Sequence, residues 1–369
     1  MMTPRERVKA VYEGKIPDQV PLMLDLSHWY KKNRNVFFDL SGFKEVETGL
    51  VELHKQVNAV CYVEMGSFYS LSVTDPNICI RSETANGVFT TTIITPLGKL
   101  TDERVFDPGS YSYNIRKHLL DSVDDFAVVR YVMEHYTVTT NWEKYHAWSE
   151  ALGELAFPYV QLPYSGFGYL ISRYFGIEKT TYAVYDHPDE VQSLVDAVNA
   201  NNLRILDAII DGPFQVVFIS DNLDANVQGG EFFDRFTRPY YSEVARRVHA
   251  QGKYLAVHVD GEMRGLLKPL AECGVDCIDA ATPFPMFSLT PEQARFEAGN
   301  RMILSGGIPA TVFGALGSEA EFEECVRRWL DTRHISPRLI MAAGDQVPTD
   351  APYERIEKLE RLVERYGKY

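Results

Sequence analysis

The stretch YLAVHVDGEMRGLLKPLAECGVDCIDAA, residues 254–281, decides the fold. Tyr254 through Val259 form an apolar run without strict alternation, as expected of a strand buried on both faces. Residues 262–273 follow with helical spacing and stop at Gly274, a residue that ends helices because it accepts left-handed backbone. A second apolar run, Cys277–Ala281, comes next. Strand, helix and strand in that order are the unit from which parallel sheets are built.

The same unit recurs on both sides. Further strands are expected at 20–25, 59–64, 159–162, 216–221, 302–305 and 339–342. Helices are expected at 190–210, opened by His187-Pro188-Asp189, and at 232–251, closed by Gly252. Two more are expected at 318–333 and 352–366. Eight strands alternating with helices favour a closed (β/α)8 TIM barrel over an open sheet, with 1–369 as a single domain. Residues 78–104 break the alternation. They contain the β-branched run Val88-Phe89-Thr90-Thr91-Thr92-Ile93-Ile94-Thr95, then Pro96-Leu97-Gly98. This reads as a β-hairpin inserted after the second barrel strand, with 111–131 resuming a helical, Asp-rich pattern.

Composition narrows the function classes. Of 369 residues, 45% are hydrophobic and 24% charged, the profile of a chain with a large core. The net charge of -14 argues against nucleic acid and anionic membrane surfaces, both of which reward basic patches. No apolar run approaches the ~18 to 20 residues of a membrane span. Residues 1–15 are charged and lack the apolar core of a signal peptide. The five cysteines have no disulfide-framework spacing, which favours the reducing cytoplasm. Cys273 and Cys277 could serve a metal, but their spacing also fits one helix end running into the next strand, and that reading is preferred.

Several motifs, in order along the chain, resemble the uroporphyrinogen decarboxylase superfamily. They are Thr3-Pro4-Arg5-Glu6-Arg7-Val8, Lys15-Ile16-Pro17-Asp18-Gln19-Val20-Pro21, Thr95-Pro96-Leu97-Gly98, Ser220-Asp221-Asn222 and Thr237-Arg238-Pro239-Tyr240-Tyr241. His258-Val259-Asp260-Gly261, Glu272-Cys273-Gly274-Val275-Asp276, Leu304-Ser305-Gly306-Gly307-Ile308-Pro309-Ala310 and Ala343-Gly344-Asp345-Gln346-Val347-Pro348 complete the series. The resemblance implies a TIM barrel and one of two activities: porphyrinogen decarboxylation, or methyl transfer with a corrinoid protein. The decarboxylases carry an arginine-rich motif after the first strand that binds substrate carboxylates. Here Asp25, His28 and Trp29 stand in that stretch, and an acid would repel a polycarboxylate. Corrinoid-dependent demethylation is therefore the expected reaction, with a methoxylated aromatic or methylated amine as methyl donor. A decarboxylase acting on a different carboxylated substrate is the alternative, and a non-catalytic barrel that binds a tetrapyrrole or a corrinoid protein is a third. A corrinoid protein is the implied partner, and a homodimer is left open.

The resemblance also implies the metal site. The superfamily's zinc-dependent methyltransferases have His-x-Cys after the fifth strand and a second Cys after the last. This chain has His258-Val259-Asp260 and Asp345 at the matching places. One nitrogen and two carboxylates still suit Zn2+, as a harder site fit for polarising an oxygen. The plain reading is a histidine hydrogen-bonded to an acid, with no metal.

Strand-end acids supply the remaining catalytic candidates: Asp25, Glu64 and Asp221, beside His258. For Asp221, capping its loop through backbone amides is an equal alternative. His28, Trp29, Gln161, Tyr164 and Asp279 are the expected substrate-binding residues. With 21 Tyr and 20 Phe, aromatic walls at the mouth would suit an aromatic ring or a quaternary ammonium. The Gly-Gly pair at 306–307 reads as close backbone passage rather than an anion site.

Overall fold

The structure, a computed structural model, describes residues 1–37, 43, 45–62 and 68–369. Six parallel strands form one continuous sheet in the order Leu339–Ala343, Ile303–Ile308, Cys277–Ala281, Tyr254–His258, Val216–Ile219, Val160–Leu162. Two shorter stretches close it into a ring. Leu22 pairs with Met341, Met23 with Val60, and Cys61 with Ala156, all parallel. Backbone hydrogen bonds from Met23 to Met341, Leu24 to Val60 and Tyr159 to Tyr62 complete the closure. The eight strands expected from the sequence thus form the barrel, although the expected residues 63 and 64 of the second strand lie outside the described residues.

The strands' alternation separates two cores. Met23, Val60, Tyr62, Tyr159, Val216, Phe218, Ala256, Cys277, Ile303 and Ile340 point inward and fill the barrel. Their chain neighbours, such as Leu22, Cys61, Val160, Val217, Val257, Ile278, Leu304 and Met341, point outward against the helices. Pro4–Tyr12 closes the bottom: Thr3 caps it through a capping box, and Val8, Val11 and Tyr12 join the inner core. The Tyr12 and Tyr159 hydroxyls meet at 2.6 Å. Cys277 belongs to this inner core and Cys273 to the outer one, so the two serve packing rather than a shared metal.

The insertion is larger than the expected hairpin. Cys79–Ala85, Val88–Thr95, Gly98–Asp107 and Ser112–Lys117 make a four-stranded antiparallel sheet. The helical reading of 111–131 is corrected over its first part. Tyr113 packs edge-on against Phe89 and Phe106, which favours pairing of Ser112–Lys117 with the sheet, and the helix is confined to Phe126–Glu134. The sheet is fastened at two distant points. Phe126–Glu134 packs on the long helix Pro188–Ile209. At the other end the Gly109 carbonyl accepts hydrogen bonds from Lys32 Nζ at 2.8 Å and Thr349 Oγ1 at 3.0 Å. Among the described residues, no helix is long and apolar enough to cross a membrane.

Candidate active site at the barrel mouth

Inward alternation carries a polar layer to the upper rim of the inner core. Continuing the inward phase of each strand gives Asp25, Gln161, Ser220, His258, Asp279 and Ser305. His258 ends its strand at 9% exposure, next to Phe218 below it, whose ring it meets edge-on at 6.0 Å. Its Nδ1 lies 2.8 Å from Asp279 Oδ2, and its Nε2 lies 3.5 Å from Asp345 Oδ1. Asp279 stands opposite His258 in the strand register. The strand bulges immediately after it. Ala280 has φ 62°, left-handed backbone that costs a non-glycine residue about 1 to 2 kcal/mol. The Thr282 hydroxyl holds this bulge by donating to the carbonyls of Ala280 and Gly344. Because Gly344 directly precedes Asp345, the bulge also ties the two acids that flank His258 to each other.

Asp260, two residues beyond the strand, completes a triangle. One ligand atom each from His258, Asp260 and Asp345 lies within 4.8 Å of the others. Burial alone would push the His258 imidazolium down. The hydrogen bond to Asp279 and the charges of Asp345, Asp279 and Asp260 outweigh it and hold the imidazolium above the ordinary histidine range. Asp345 moves up as well. Its burial dominates, opposed by His258 and helped by the like charges of Asp260 and Asp25.

The triangle fits a divalent cation. Asp279 takes the Nδ1 side of the ring, which leaves Nε2 facing Asp345. Metal-ligating histidines are commonly held in this way by a carboxylate on the far nitrogen. Three protein ligands with open positions beside them are the pattern of catalytic rather than structural zinc.

The other expected residues divide. Gln161 faces the open mouth, and its Nε2 donates to Ser220 Oγ at 2.6 Å. Tyr164 is half-buried nearby, with the charges of Asp221 and Asp260 both felt at its hydroxyl. Asp25 caps the following turn, its Oδ1 accepting from Ser27 N at 2.9 Å and Ser27 Oγ at 2.6 Å. Its charge also reaches Asp345. His28 is buried, with Nδ1 3.3 Å from Ser27 Oγ. Trp29 does not join the site: its indole donates to the Ala351 carbonyl at 2.9 Å and packs on Tyr353. Glu64 lies outside the described residues.

Asp221 also stands apart. It shares the outward phase of Val217 and Ile219, and it is fully buried. Its Oδ1 accepts from the Ser165 amide at 2.6 Å and its Oδ2 from the Tyr241 hydroxyl at 2.8 Å. This carboxylate ties the loop after the third strand to helix Arg238–Ala250, which is the capping alternative. The Gly-Gly pair likewise serves packing. A Cβ on Gly306 would strike the Ala281 carbonyl, and one on Gly307 would strike Trp329. Sequence reasoning missed Ser220, the clamping role of Asp279, and Arg173, whose guanidinium lies 5.7 Å from the centre of the Tyr164 ring. The inward phase would have found Ser220. Nothing local marks Arg173.

Comparison with protein families matches residues 160–366 to the uroporphyrinogen decarboxylase (URO-D) model. The chain belongs to the uroporphyrinogen decarboxylase family. The match runs from the third barrel strand to the last helix and takes in His258, Asp260, Asp279 and Asp345. Among solved structures, the chain is similar to a methyltransferase from Methanosarcina mazei, at TM-score 0.66 and 12% identity over 99% of each chain. At that identity the likeness shows a shared barrel fold. A muconate cycloisomerase from Pseudomonas fluorescens matches at TM-score 0.31 and 11% identity, over 82% of this chain and 78% of that one. Comparison with curated proteins gives no match.

Proposed function

We propose that this member of the uroporphyrinogen decarboxylase family is the methyltransferase of a corrinoid-dependent demethylation. It moves a methyl group from a small methoxylated aromatic, or a methylated amine, to a corrinoid carried by a separate protein. The observation that carries the reading is the triangle of His258 Nε2, Asp260 and Asp345, clamped from behind by Asp279. The first strand supports it by ending in Asp25, an acid, where a porphyrinogen decarboxylase needs arginines. A methyltransferase with the same barrel over 99% of both chains is consistent with it.

An ether or amine is a poor methyl donor because its leaving group is basic. His258, Asp260 and Asp345 would hold Zn2+, which when bound supplies Lewis-acid polarisation of the donor's heteroatom. Asp279 keeps the imidazole in the orientation that presents Nε2. Gln161 and Asp25 offer hydrogen-bonding groups to orient the donor, and Tyr164 offers a ring face. In the transfer the bond from methyl carbon to heteroatom breaks and its electron pair stays on the heteroatom. The new bond to the corrinoid uses the electron pair of reduced cobalt(I), and the leaving group takes a proton from solvent.

The test is methylation of added cob(I)alamin by methoxylated aromatics and methylated amines, with metal content measured in parallel. Transfer by the wild-type protein, lost in His258→Ala with the fold intact, is expected. Full transfer by His258→Ala, or carbon dioxide release from a carboxylated substrate without methyl transfer, would overturn the reading. Active protein without stoichiometric zinc would remove the metal from it.

A further inference from the structure

Arg173 is a cation beside Tyr164 that the methyl-transfer chemistry does not use. After the third barrel strand the chain passes through Gly166–Tyr169 into a π-helical turn, Leu170–Tyr174. Such turns are rare and collect at functional sites, because the extra residue redirects a side chain. Here Tyr169 and Tyr174 stack at 4.7 Å and 7°, and Leu170 and Tyr174 are buried. Arg173 is left half-buried, with its guanidinium over the Tyr164 ring and its carbonyl 3.2 Å from His118 Nδ1.

Among the described residues, no carboxylate pairs with the Arg173 guanidinium and no backbone carbonyl accepts from it; its polar partner is the neutral Tyr164 hydroxyl, which leaves its charge uncompensated. That is unusual in a chain of net charge -14, where Arg247, for example, binds both Asp207 and Glu243. A half-buried guanidinium recovers its lost hydration best on a planar anion that takes two of its donors at once. The charges of Arg173 and of Asp260, one of the acids around His258, both reach Tyr164. A quaternary ammonium stacked on Tyr164 would meet a like charge there. An aromatic ring bearing a carboxylate would meet complementary groups at each end.

We propose that Arg173 is a specificity-determining residue that takes the carboxylate of an anionic methoxylated aromatic donor, while Tyr164 packs on the donor's ring. This rests on the methyl-transfer reading for the identity of the donor, but its test needs no transfer. Binding of 4-methoxybenzoate, its neutral amide and the matching aryl trimethylammonium is measured by calorimetry. The proteins are wild type, Arg173→Met and Arg173→Lys, each checked for fold by circular dichroism. The wild type is expected to bind the acid about 10- to 100-fold more tightly than the amide. Arg173→Met should lose that preference and Arg173→Lys should keep part of it. Equal binding of acid and amide by the wild type, preference for the ammonium, an unchanged preference in Arg173→Met, or no saturable binding of any probe would each overturn the assignment. Discrimination without methylation of cob(I)alamin would sink the activity and leave Arg173 standing. Methylation from the amide as readily as from the acid would do the reverse.

Discussion

Asp345 and Asp221 both follow barrel strands in the upper half of the molecule, and burial raises both carboxyl groups. Their surroundings differ in one respect. Asp221 has each oxygen satisfied inside the protein, by the Ser165 amide and the Tyr241 hydroxyl. Asp345 remains partly open to the mouth and faces His258 and Asp260 instead. An acid at a strand end is therefore not functional by position alone. What sets Asp345 apart as a candidate is its partly exposed carboxylate facing His258 and Asp260.

The sharpest way to break this contrast is to remove the group that Asp345 faces. His258→Ala should lower cob(I)alamin methylation by more than about 100-fold. Its thermal unfolding should fall as well, because Asp279 is left buried and unpaired, but the folded protein should persist. Activity lost only in proportion to the unfolded fraction would make the triangle a structural network like the one around Asp221.

The reverse pattern is expected on the other side. Asp221→Ala leaves a buried amide and a buried hydroxyl without acceptors and should cost about 3 kcal/mol of stability, read by urea unfolding. Methyl transfer per folded molecule should change little. A stable Asp221→Ala protein without activity would erase the distinction.

Both measurements must be made where the barrel itself is not titrating. His54 is buried, and burial lowers its pKa from 6.5 to about 4, with its Nδ1 bonded to the Ala59 carbonyl. The unfolded chain therefore binds the proton first as pH falls. Stability from this group is complete above pH 6.5 and declines by roughly 3 kcal/mol on the way to pH 4. His54→Leu should flatten that slope in unfolding measured across pH. An unchanged slope would assign it to other groups.

The mildest change is Asp279→Asn, which keeps the shape beside His258 but removes the charge. A loss of about 10- to 100-fold in zinc affinity or methyl transfer is expected, with stability little altered. Unchanged zinc affinity and unchanged transfer would show that the clamp is dispensable.

Most of the barrel was legible because its strands are short apolar runs between helix-stop residues. The run Met302 to Ser305 was read too short because glycine is a poor strand former. Gly306 and Gly307 nevertheless extend that strand, since the bulge at Ala280 and the Trp329 ring need their missing side chains. The third and fourth insertion strands were only partly legible. Ser112–Lys117 is stabilised by Phe89 and Phe106 across the sheet, contacts no local window contains. At the site, His258, Asp260 and Asp345 could be read by matching motifs. Asp221 could have been set aside from phase alone, since it shares the parity of Val217 and Ile219. The pairing of Asp279 with His258 needed the strand register, and the exposure of Arg173 needed the π-helical turn.

The ring's closure has a practical side. Gln19 bridges Lys368, and the Val20 amide donates to the Gly367 carbonyl, so the two ends of the chain run side by side. Both lie beside the Pro4–Tyr12 plug, at the pole opposite His258. A tether, label or immobilising tag at either end would therefore leave the mouth facing free solution, where a partner as large as a whole protein can be presented to it.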